Sequence, residues 1–368
     1  MQLPFVFQKK NKRGLIGVDI QPQGIAVAHI MYAEKPGNKP VLKQCAFQAC
    51  EPDSPEDQLL TLKKLLSSFP IKNFYCNASI GQLAYELLLI DAPKVESSEL
   101  KQAVRWRIKE QLPYQVDDAV IDVFEIPGQP VNRQQLMYVV SALKSDIDEQ
   151  AELLKQAGLD IHSIDIYELV QRNIAAIMPE DKEGLVLLKI DAKGGLLTIT
   201  RNGTLYLTRN IDFNINRLKV ALEQSEIDQE SEITLSLDEM EEQSDTDNNG
   251  NNTNNQQNEP DSSAAEIDQE SAALSERSKA IIDELILEIQ RSLDYYVSHF
   301  NQRPVTKIVF APMEPQADDV INYIHEMLGI KTEILDFNHY LSVKAALENS
   351  LQVQCFNAIG LALRQDEV

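Results

Sequence analysis

The sequence predicts a mixed α/β fold made of two related halves with a cleft between them. Residues 14–80 and 184–213 share one plan, in which an apolar strand ends at an aspartate (Asp19 or Asp191) and a glycine-bearing turn and a hairpin follow. Elsewhere, strands alternate with helices that are apolar on one face, which is typical of sheets covered by helices. The halves share no residue-by-residue repeat, so the prediction depends on the order of the elements.

In the first half, the sequence predicts four strands and one helix. Short apolar runs bounded by turn-forming residues indicate the strands. The leucines of the helix recur at intervals of three or four residues, which places them on one face. We expect strands at 15–19, 24–30, 41–46 and 74–80, and the helix at 56–68.

A middle block, residues 85–159, predicts a compact subdomain. Its first helix has apolar residues at every fourth position, at Leu100, Val104, Ile108 and Leu112. We expect Ser97 or Ser98 to cap its start and Pro113 to end it, because proline disfavours helix in the preceding residue. The predicted strands are 85–90, 119–126 and 136–142, and the predicted helices are 97–112 and 146–157.

The second half begins with an apolar strand and a hairpin around Asn202-Gly203, a dipeptide that favours tight turns. A long amphipathic helix follows later in the chain. The predicted strands are 184–190, 196–200, 205–211, 307–310 and 332–335, and the predicted helices are 214–224, 274–300, 318–328 and 357–364.

The net charge of −23 comes mostly from one segment. Residues 223–276 carry 17 acidic residues and no Lys or Arg, and the rest of the chain has a net charge of −6. Residues 248–258 are almost all Asn, Gln, Gly and Thr, so we expect a disordered acidic insertion at 227–273. This charge distribution excludes nucleic acid as a partner, because no basic surface is concentrated anywhere.

The cysteines and the apolar runs point to a cytoplasmic protein. Cys45, Cys50, Cys76 and Cys355 match neither a zinc site nor a CxxC pair, so we expect reduced thiols. No apolar run approaches the ~18 residues that span a bilayer. The apolar residues near the start precede the basic ones, the reverse of a signal peptide, so we expect a protein that is not exported.

Several stretches together resemble the PilM family of type IV pilus assembly proteins, and most of all its MSHA-pilus branch, MshI. They are IGVDI at 16–20, LKQAVRWRIKEQLPYQVDDAV at 100–120, LLKQAGLDIHSIDI at 153–166, LEIQRSLDYY at 287–296 and NAIGLALR at 357–364. The resemblance implies an actin-like (duplicated ribonuclease-H-like) two-lobed fold with an inserted PilM/FtsA-type subdomain. In this fold, the first lobe would comprise residues 14–84, 160–183 and the C-terminal helix 355–365. The inserted subdomain would comprise residues 85–159. The second lobe would comprise residues 184–226 and 274–354.

The resemblance also implies a function and a location. Proteins of this family lie at the cytoplasmic face of the inner membrane, where they hold the cytoplasmic tail of a PilN-like bitopic membrane protein beside the inserted subdomain. We therefore expect a scaffold that is peripheral to the membrane through this partner. Other pilus platform proteins are implied partners, and self-association is common in actin-like folds.

A nucleotide site of the actin type is only partly present in the sequence. The resemblance implies that Asp19 and Asp191 would bind Mg²⁺ and that Gly194 and Gly195 would form a phosphate-binding turn. Small residues in such a turn let backbone N–H groups approach the phosphate. The turn after Asp19 contains Pro22, which has no N–H, and residues 311–315 contain no glycine. We expect a degenerate site and a pseudo-ATPase rather than an enzyme, with Mg-ATP binding left open.

The helix at 97–112 offers the best candidates for partner binding. It carries Arg105, Trp106 and Lys109, and it is followed by Pro113 and Tyr114. Trp and Arg are enriched in binding hot spots, and an extended tail can dock along a groove or a sheet edge. Trp106, the one tryptophan of the chain, either packs inside the subdomain or anchors a partner.

Two other functions remain open at this level. One is an ATP-binding, nucleotide-responsive pilus assembly protein of the same fold, in which Asp19 and Asp191 would be active. The other is a component of a type II secretion platform.

Overall fold

The computed structural model describes residues 14–32, 37–51, 54–129, 134–223, 274–314 and 317–365. The predicted acidic insertion, 227–273, lies outside these ranges. The strands are β1 (Gly14–Gln21), β2 (Gly24–Met31), β3 (Val41–Ala49), β4 (Tyr75–Ser79), β5 (Tyr85–Asp91), β6 (Ala119–Glu125), β7 (Leu136–Leu143), β8 (Ile161–Asp165), β9 (Leu185–Ile190), β10 (Gly195–Arg201), β11 (Thr204–Ile211), β12 (Lys307–Phe310), β13 (Lys331–Ile334) and β14 (Ser342–Val343).

Helices lie between groups of these strands along the chain. They are α1 (Pro55–Leu66), α2 (Ser97–Ile108), α3 (Lys144–Gln156), α4 (Tyr167–Ala175), α5 (215–223), α6 (Glu276–Phe300), α7 (Asp318–Leu328), α8 (Phe337–Tyr340) and α9 (Asn349–Ala362). Serine side chains cap the N-termini of two of these helices. Ser54 Oγ and Ser275 Oγ accept hydrogen bonds from N–H groups of the first turns of α1 and α6. None of the helices described here is long and apolar enough to cross a membrane.

Two sheets repeat one topology. The first runs β14-β3-β2-β1-β4-β8 and the second runs β11-β10-β9-β12-β13. In each sheet, three consecutive strands form an antiparallel meander, β1-β2-β3 or β9-β10-β11. The first strand of each meander also pairs in parallel with a later strand, β1 with β4 and β9 with β12. The repeated order confirms the predicted duplication and the two-lobed, actin-like fold.

Two helices pack together between the sheets. Helix α9 covers one face of the first sheet and contacts α4, which covers the second sheet. Glycines permit this close packing: a Cβ on Gly17 of β1 would collide with the carbonyl oxygen of Ala358, and a Cβ on Gly360 would lie 2.6 Å from Val170 Cγ1. Helices α1 and α3 cover the other face of the first sheet, and α6 and α7 pack on the second.

The inserted subdomain contacts both lobes. Its antiparallel sheet, β5-β7-β6, carries α2 on one face through the buried side chains of Val104 and Ile108. Its other face packs against the second lobe, where Tyr138 Oη donates to the carbonyl oxygen of Tyr206 at 3.2 Å. Helix α3, predicted within this subdomain, buries Leu154 in the core of the first lobe.

Several predicted boundaries need correction. Helix α2 ends at Ile108 rather than at residue 112, because the following residues turn so that Leu112 and Tyr114 pack onto the subdomain core. Neither predicted serine caps it, since Glu96 is the N-cap and makes no side-chain cap hydrogen bond. The final helix begins at residue 349 rather than 357, and β8 and α4 were not predicted.

Candidate functional site

The residues predicted to bind a partner all line one groove on the inserted subdomain, here called the α2 groove. It has a volume of about 710 Å³ and lies between the C-terminal half of α2 and the chain that follows it. Its lining residues are Gln102, Arg105, Trp106, Lys109, Leu112, Pro113, Tyr114, Gln115, Val116 and Asp117.

Trp106 projects into solvent at this groove. Its side chain is 72% exposed, so the alternative in which it packs inside the subdomain is wrong. The ammonium of Lys109 lies 5.6 Å from the centre of the indole ring, within the range of a cation–π interaction. A large exposed aromatic ring beside a cation is a surface that an apolar or aromatic partner residue could cover.

Two other side chains fix the shape of the groove. Arg105 Nη2 donates to the carbonyl oxygen of Val116 at 2.6 Å and lies 3.7 Å from Asp117 Oδ1, which ties α2 to the opposite wall. Tyr114 Oη donates to Ser141 Oγ on β7 at 3.0 Å. Burial raises the pKa of Tyr114, so its hydroxyl stays protonated as a donor.

A second, smaller cleft of about 380 Å³ separates α1 from α3, and we call it the α1–α3 cleft. Leu59 and Leu153 line it together with three carboxylates, Asp146, Glu149 and Glu152, and none of its lining residues in the described part of the chain is basic. Sequence reasoning missed this cleft, because its walls come from two helices that lie in different predicted domains.

Asp19 lies near the end of β1 and is fully buried. Its Oδ2 accepts hydrogen bonds from Gln21 Nε2 at 2.7 Å and from Asn357 Nδ2 at 2.9 Å. Its Oδ1 accepts from Ser79 Oγ and, at 3.4 Å, from Tyr167 Oη. A carboxylate with four internal donors is satisfied in the absence of a metal, and Mg²⁺ could bind it only by displacing some of them.

Asp191 is arranged differently from Asp19. Its Oδ1 accepts from the backbone N–H of Lys193 at 2.9 Å, and its Oδ2 lies 3.2 Å from Lys189 Nζ. Burial raises the pKa of Tyr167, and the negative charges of Asp19 and then of Asp191 act in the same direction. Asp191 therefore organises its own turn and remains partly open to solvent.

The turns that would hold phosphate and base are tight. Strands β1 and β2 pair up to Gln21 and Gly24, which leaves only Pro22 and Gln23 in the turn, and proline offers no N–H. Gly194 has a φ of +153°, and Gly195 opens β10, so a compact turn follows Asp191. Because Pro22 has no N–H, the turn between β1 and β2 offers fewer backbone donors to a phosphate than a turn of the same length without proline would.

The chain after β12 also lacks the glycine-rich turn of an actin-type site. Ala311 and Met313 are buried, and the carbonyl oxygen of Met313 accepts from Asn349 Nδ2 at 2.8 Å. The segment is thus packed against α9. Sequence reasoning did not anticipate the donors around Asp19, although Asn357 was visible as a polar residue in an apolar C-terminal stretch.

Comparison with models of known protein families and with curated proteins found no match. Among solved structures, the fold is similar to the "PilM-PilN type IV pilus biogenesis complex", with a TM-score of 0.62 and 19% sequence identity over 95% of this chain and 97% of that chain. Weaker likenesses include a Bacteroides thetaiotaomicron protein of actin-like ATPase fold (TM-score 0.43, 7% identity, 95% of this chain and 99% of that chain). Another is the cytoplasmic domain of EpsL, an inner membrane component of the type II secretion system of Vibrio cholerae (TM-score 0.37, 12% identity, 54% of this chain and 71% of that chain). The chain therefore has the two-lobed, actin-like fold of PilM.

Proposed function

We propose that this chain is a cytoplasmic platform protein of a type IV pilus system, which binds the cytoplasmic tail of a PilN-like bitopic membrane protein. The observation that carries the proposal is the α2 groove, where an exposed tryptophan, two cations and a proline-tyrosine corner meet. The similarity of the fold to PilM in its complex with PilN supports it.

The tail would lie in this groove as an extended segment. One of its apolar side chains would cover Trp106, and its carbonyl groups or a carboxylate would meet Lys109. Strand β6 begins just beyond Asp117 and is an edge strand of the subdomain sheet. Main-chain hydrogen bonds along that edge would extend the interface, as in other cases of strand addition.

We further propose that the protein acts as a scaffold and not as an ATPase. Asp19 is satisfied by protein donors, and the turn at Pro22 presents fewer N–H groups to a phosphate than a turn without proline would. The finer assignment is a platform of the MSHA type, peripheral to the inner membrane through its partner. Other platform proteins and further copies of the chain would be additional partners.

Calorimetric titration with a synthetic peptide that copies the PilN-like tail tests the proposal. We expect saturable binding to the wild-type protein and a loss of about tenfold or more in affinity for Trp106→Ala, as for a hot-spot aromatic residue. Leu83→Ala is the matched control, since Leu83 is 85% exposed and lies outside the groove. Failure of the wild-type protein to bind the peptide would contradict the proposal.

A second pair of variants locates the tail. Glu149→Lys reverses a charge in the α1–α3 cleft and leaves the α2 groove unchanged. We expect Glu149→Lys to bind the peptide like the wild-type protein. If Glu149→Lys abolished binding and Trp106→Ala did not, the tail would lie in the α1–α3 cleft, and the assignment of the α2 groove would be wrong.

A further inference from the structure

A third cavity lies where the inserted subdomain meets the second lobe, and we call it the β5–β11 cavity. It has a volume of about 320 Å³, within the range of sites for small molecules. Its walls come from the loop before β5, from β5, from the first turn of α4 and from the second half of β11. Most of its lining residues are polar, and they include Glu168, Thr208 and Asn210. None of its described lining residues also lines the α2 groove.

Glu168 brings a buried carboxylate without a cation to this cavity. The residue is only 5% exposed, and its Oε2 accepts a hydrogen bond from Tyr85 Oη at 2.7 Å. No ion pair in the described part of the chain includes it. Burial raises the pKa of Glu168, although the hydrogen bond from Tyr85 opposes this effect. An isolated buried charge is costly, so this carboxylate needs either a cation or a proton.

A second polar group of the cavity lacks a partner. Thr208 Oγ1 is buried and makes no hydrogen bond within the residues that the structure describes. Buried hydroxyl groups normally have at least one partner, and the oxygen of a threonine can accept as well as donate. The cavity therefore offers two acceptors to a ligand, the carboxylate of Glu168 on α4 and the hydroxyl of Thr208 on β11.

A cation of the lining has a partner elsewhere. Arg209 Nη1 lies 3.7 Å from Glu288 Oε2 on α6. Arg209 follows Thr208 in β11, and successive side chains of a strand point to opposite faces of its sheet. Leu83 and Leu87 add apolar surface to the cavity. An ammonium group on a short hydrocarbon chain matches both the buried carboxylate and this apolar surface.

We propose that the β5–β11 cavity binds a small primary aliphatic amine as its ammonium ion. The ammonium group would pair with the carboxylate of Glu168 and donate a hydrogen bond to Thr208 Oγ1. The methylene groups would lie against Leu83 and Leu87. Since Gln82 Nε2 already donates to Asn210 Oδ1 at 3.4 Å, the bound amine would add a second link between the start of the inserted subdomain and β11.

Calorimetric titration of the full chain with n-butylammonium chloride, at constant ionic strength, tests the proposal. We expect saturable binding of this amine. We expect no binding of n-butanol, which has the same hydrocarbon chain and no charge, and no binding of potassium chloride. Absence of saturable amine binding would overturn the proposal, because Glu168 would then be satisfied by a proton. Equal binding of potassium would also overturn it, because the site would then select any monovalent cation.

Three variants, checked for folding by circular dichroism, locate the bound amine. Glu168→Gln keeps the size of the side chain and an oxygen that can accept from Tyr85. We expect it to lower the affinity about tenfold or more, as for the loss of a hydrogen bond to a charged group. Thr208→Val keeps the shape of the side chain and is expected to cause a smaller loss.

Glu86→Gln is the matched control, since Glu86 also lines the cavity but is exposed. We expect its affinity for the amine to stay within about twofold of the wild-type value, as for an exposed charge. Equal affinities of the wild-type protein and Glu168→Gln would contradict the proposal. Equal losses in Glu168→Gln and Glu86→Gln would contradict it too, because the amine would then respond to the general negative charge of the chain.

Discussion

Asp19 is a buried carboxylate whose partners come from four separate parts of the chain. Gln21 lies on the same strand, but Ser79, Tyr167 and Asn357 approach from β4, α4 and α9. The resemblance to the PilM family marked Asp19 as a candidate for binding Mg²⁺. It could not reveal the donors, because their proximity depends on how the lobes and the central helices pack.

Removal of the Asp19 carboxylate tests its structural role. Asp19→Ala would leave several buried donors unpaired, so we expect a loss of about 2–4 kcal/mol in the free energy of unfolding. Chemical denaturation followed by circular dichroism measures this. Asp191→Ala is the matched control, and we expect a change within about 1 kcal/mol because that carboxylate is partly exposed and its ion pair lies near the surface. Equal effects of the two substitutions would contradict the interpretation.

His29 gives the first lobe a sensitivity to acid. Its ring is buried on β2, 4.4 Å from the ring of Phe74, and its Nε2 has no hydrogen-bond partner among the described residues. Burial lowers the pKa of His29, and the charge of Lys43 lowers it further. The unfolded chain therefore binds more protons than the folded protein below about pH 6.5, and stability falls as the pH decreases through this range.

Substitution by a residue that does not titrate tests this pH dependence. His29→Leu replaces the imidazole with an apolar side chain of similar size in the core. We expect the stability of the wild-type protein relative to this variant to fall by up to about 1.4 kcal/mol per pH unit below pH 6.5. Denaturant unfolding at pH 7.5 and pH 5.5 measures the difference between the two proteins. A difference that is the same at both values would show that His29 does not titrate in this way.

Among the elements, helices with one buried face were the most predictable. Helix α2 shows this, since Val104 and Ile108, two of its predicted apolar positions, are fully buried. Helix α9 was predicted only from residue 357, because it is buried almost all round and lacks an amphipathic pattern. Its first turns contain Gln352, whose Oε1 accepts a hydrogen bond from the backbone N–H of Phe337.

The contact between α4 and α9 depends on a glycine that the sequence alone did not mark. A Cβ on Gly360 would lie 2.6 Å from Val170 Cγ1 and 2.9 Å from the carbonyl oxygen of Val170. In an open helix, alanine would be favoured by about 1 kcal/mol, but overpacking costs about 1–3 kcal/mol. We expect Gly360→Ala to lower the melting temperature and Gly81→Ala, which meets open space, to leave it unchanged. An increase in the melting temperature of the Gly360→Ala variant would contradict this, because it would mean that α4 and α9 can move apart at little cost.

At the scale of the whole molecule, the order of elements predicted the duplication, whereas the position of the inserted subdomain became clear only from its packing. Apolar side chains on one face of its sheet, such as Phe124 and Tyr138, contact the second lobe. Helix α3 packs against the first lobe. The inserted block 85–159 thus contacts both lobes.

The described residues on the two sides of the predicted acidic insertion lie close together. Ser278 Oγ at the start of α6 donates to the carbonyl oxygen of Ala221 on α5 at 2.5 Å. A short linker can therefore replace residues 228–272, and their composition offers little apolar surface to the core. We expect this deletion to leave the melting temperature within about 2 °C of the wild-type value, as for a change of no more than about 1 kcal/mol. A large decrease on calorimetric melting would show that the insertion belongs to the folded core.

The intrinsic fluorescence of Trp106 tests the central claim most directly, because it is the one tryptophan of the chain and it lies exposed in the α2 groove. Titration with the PilN-like tail peptide should move its emission to shorter wavelength and saturate, as the ring leaves water. Mg-ATP, titrated into the same preparation by fluorescence and by calorimetry, should give no saturable signal. Saturable Mg-ATP binding, or peptide binding by calorimetry with no change in the emission of Trp106, would contradict a scaffold that binds its partner through this groove.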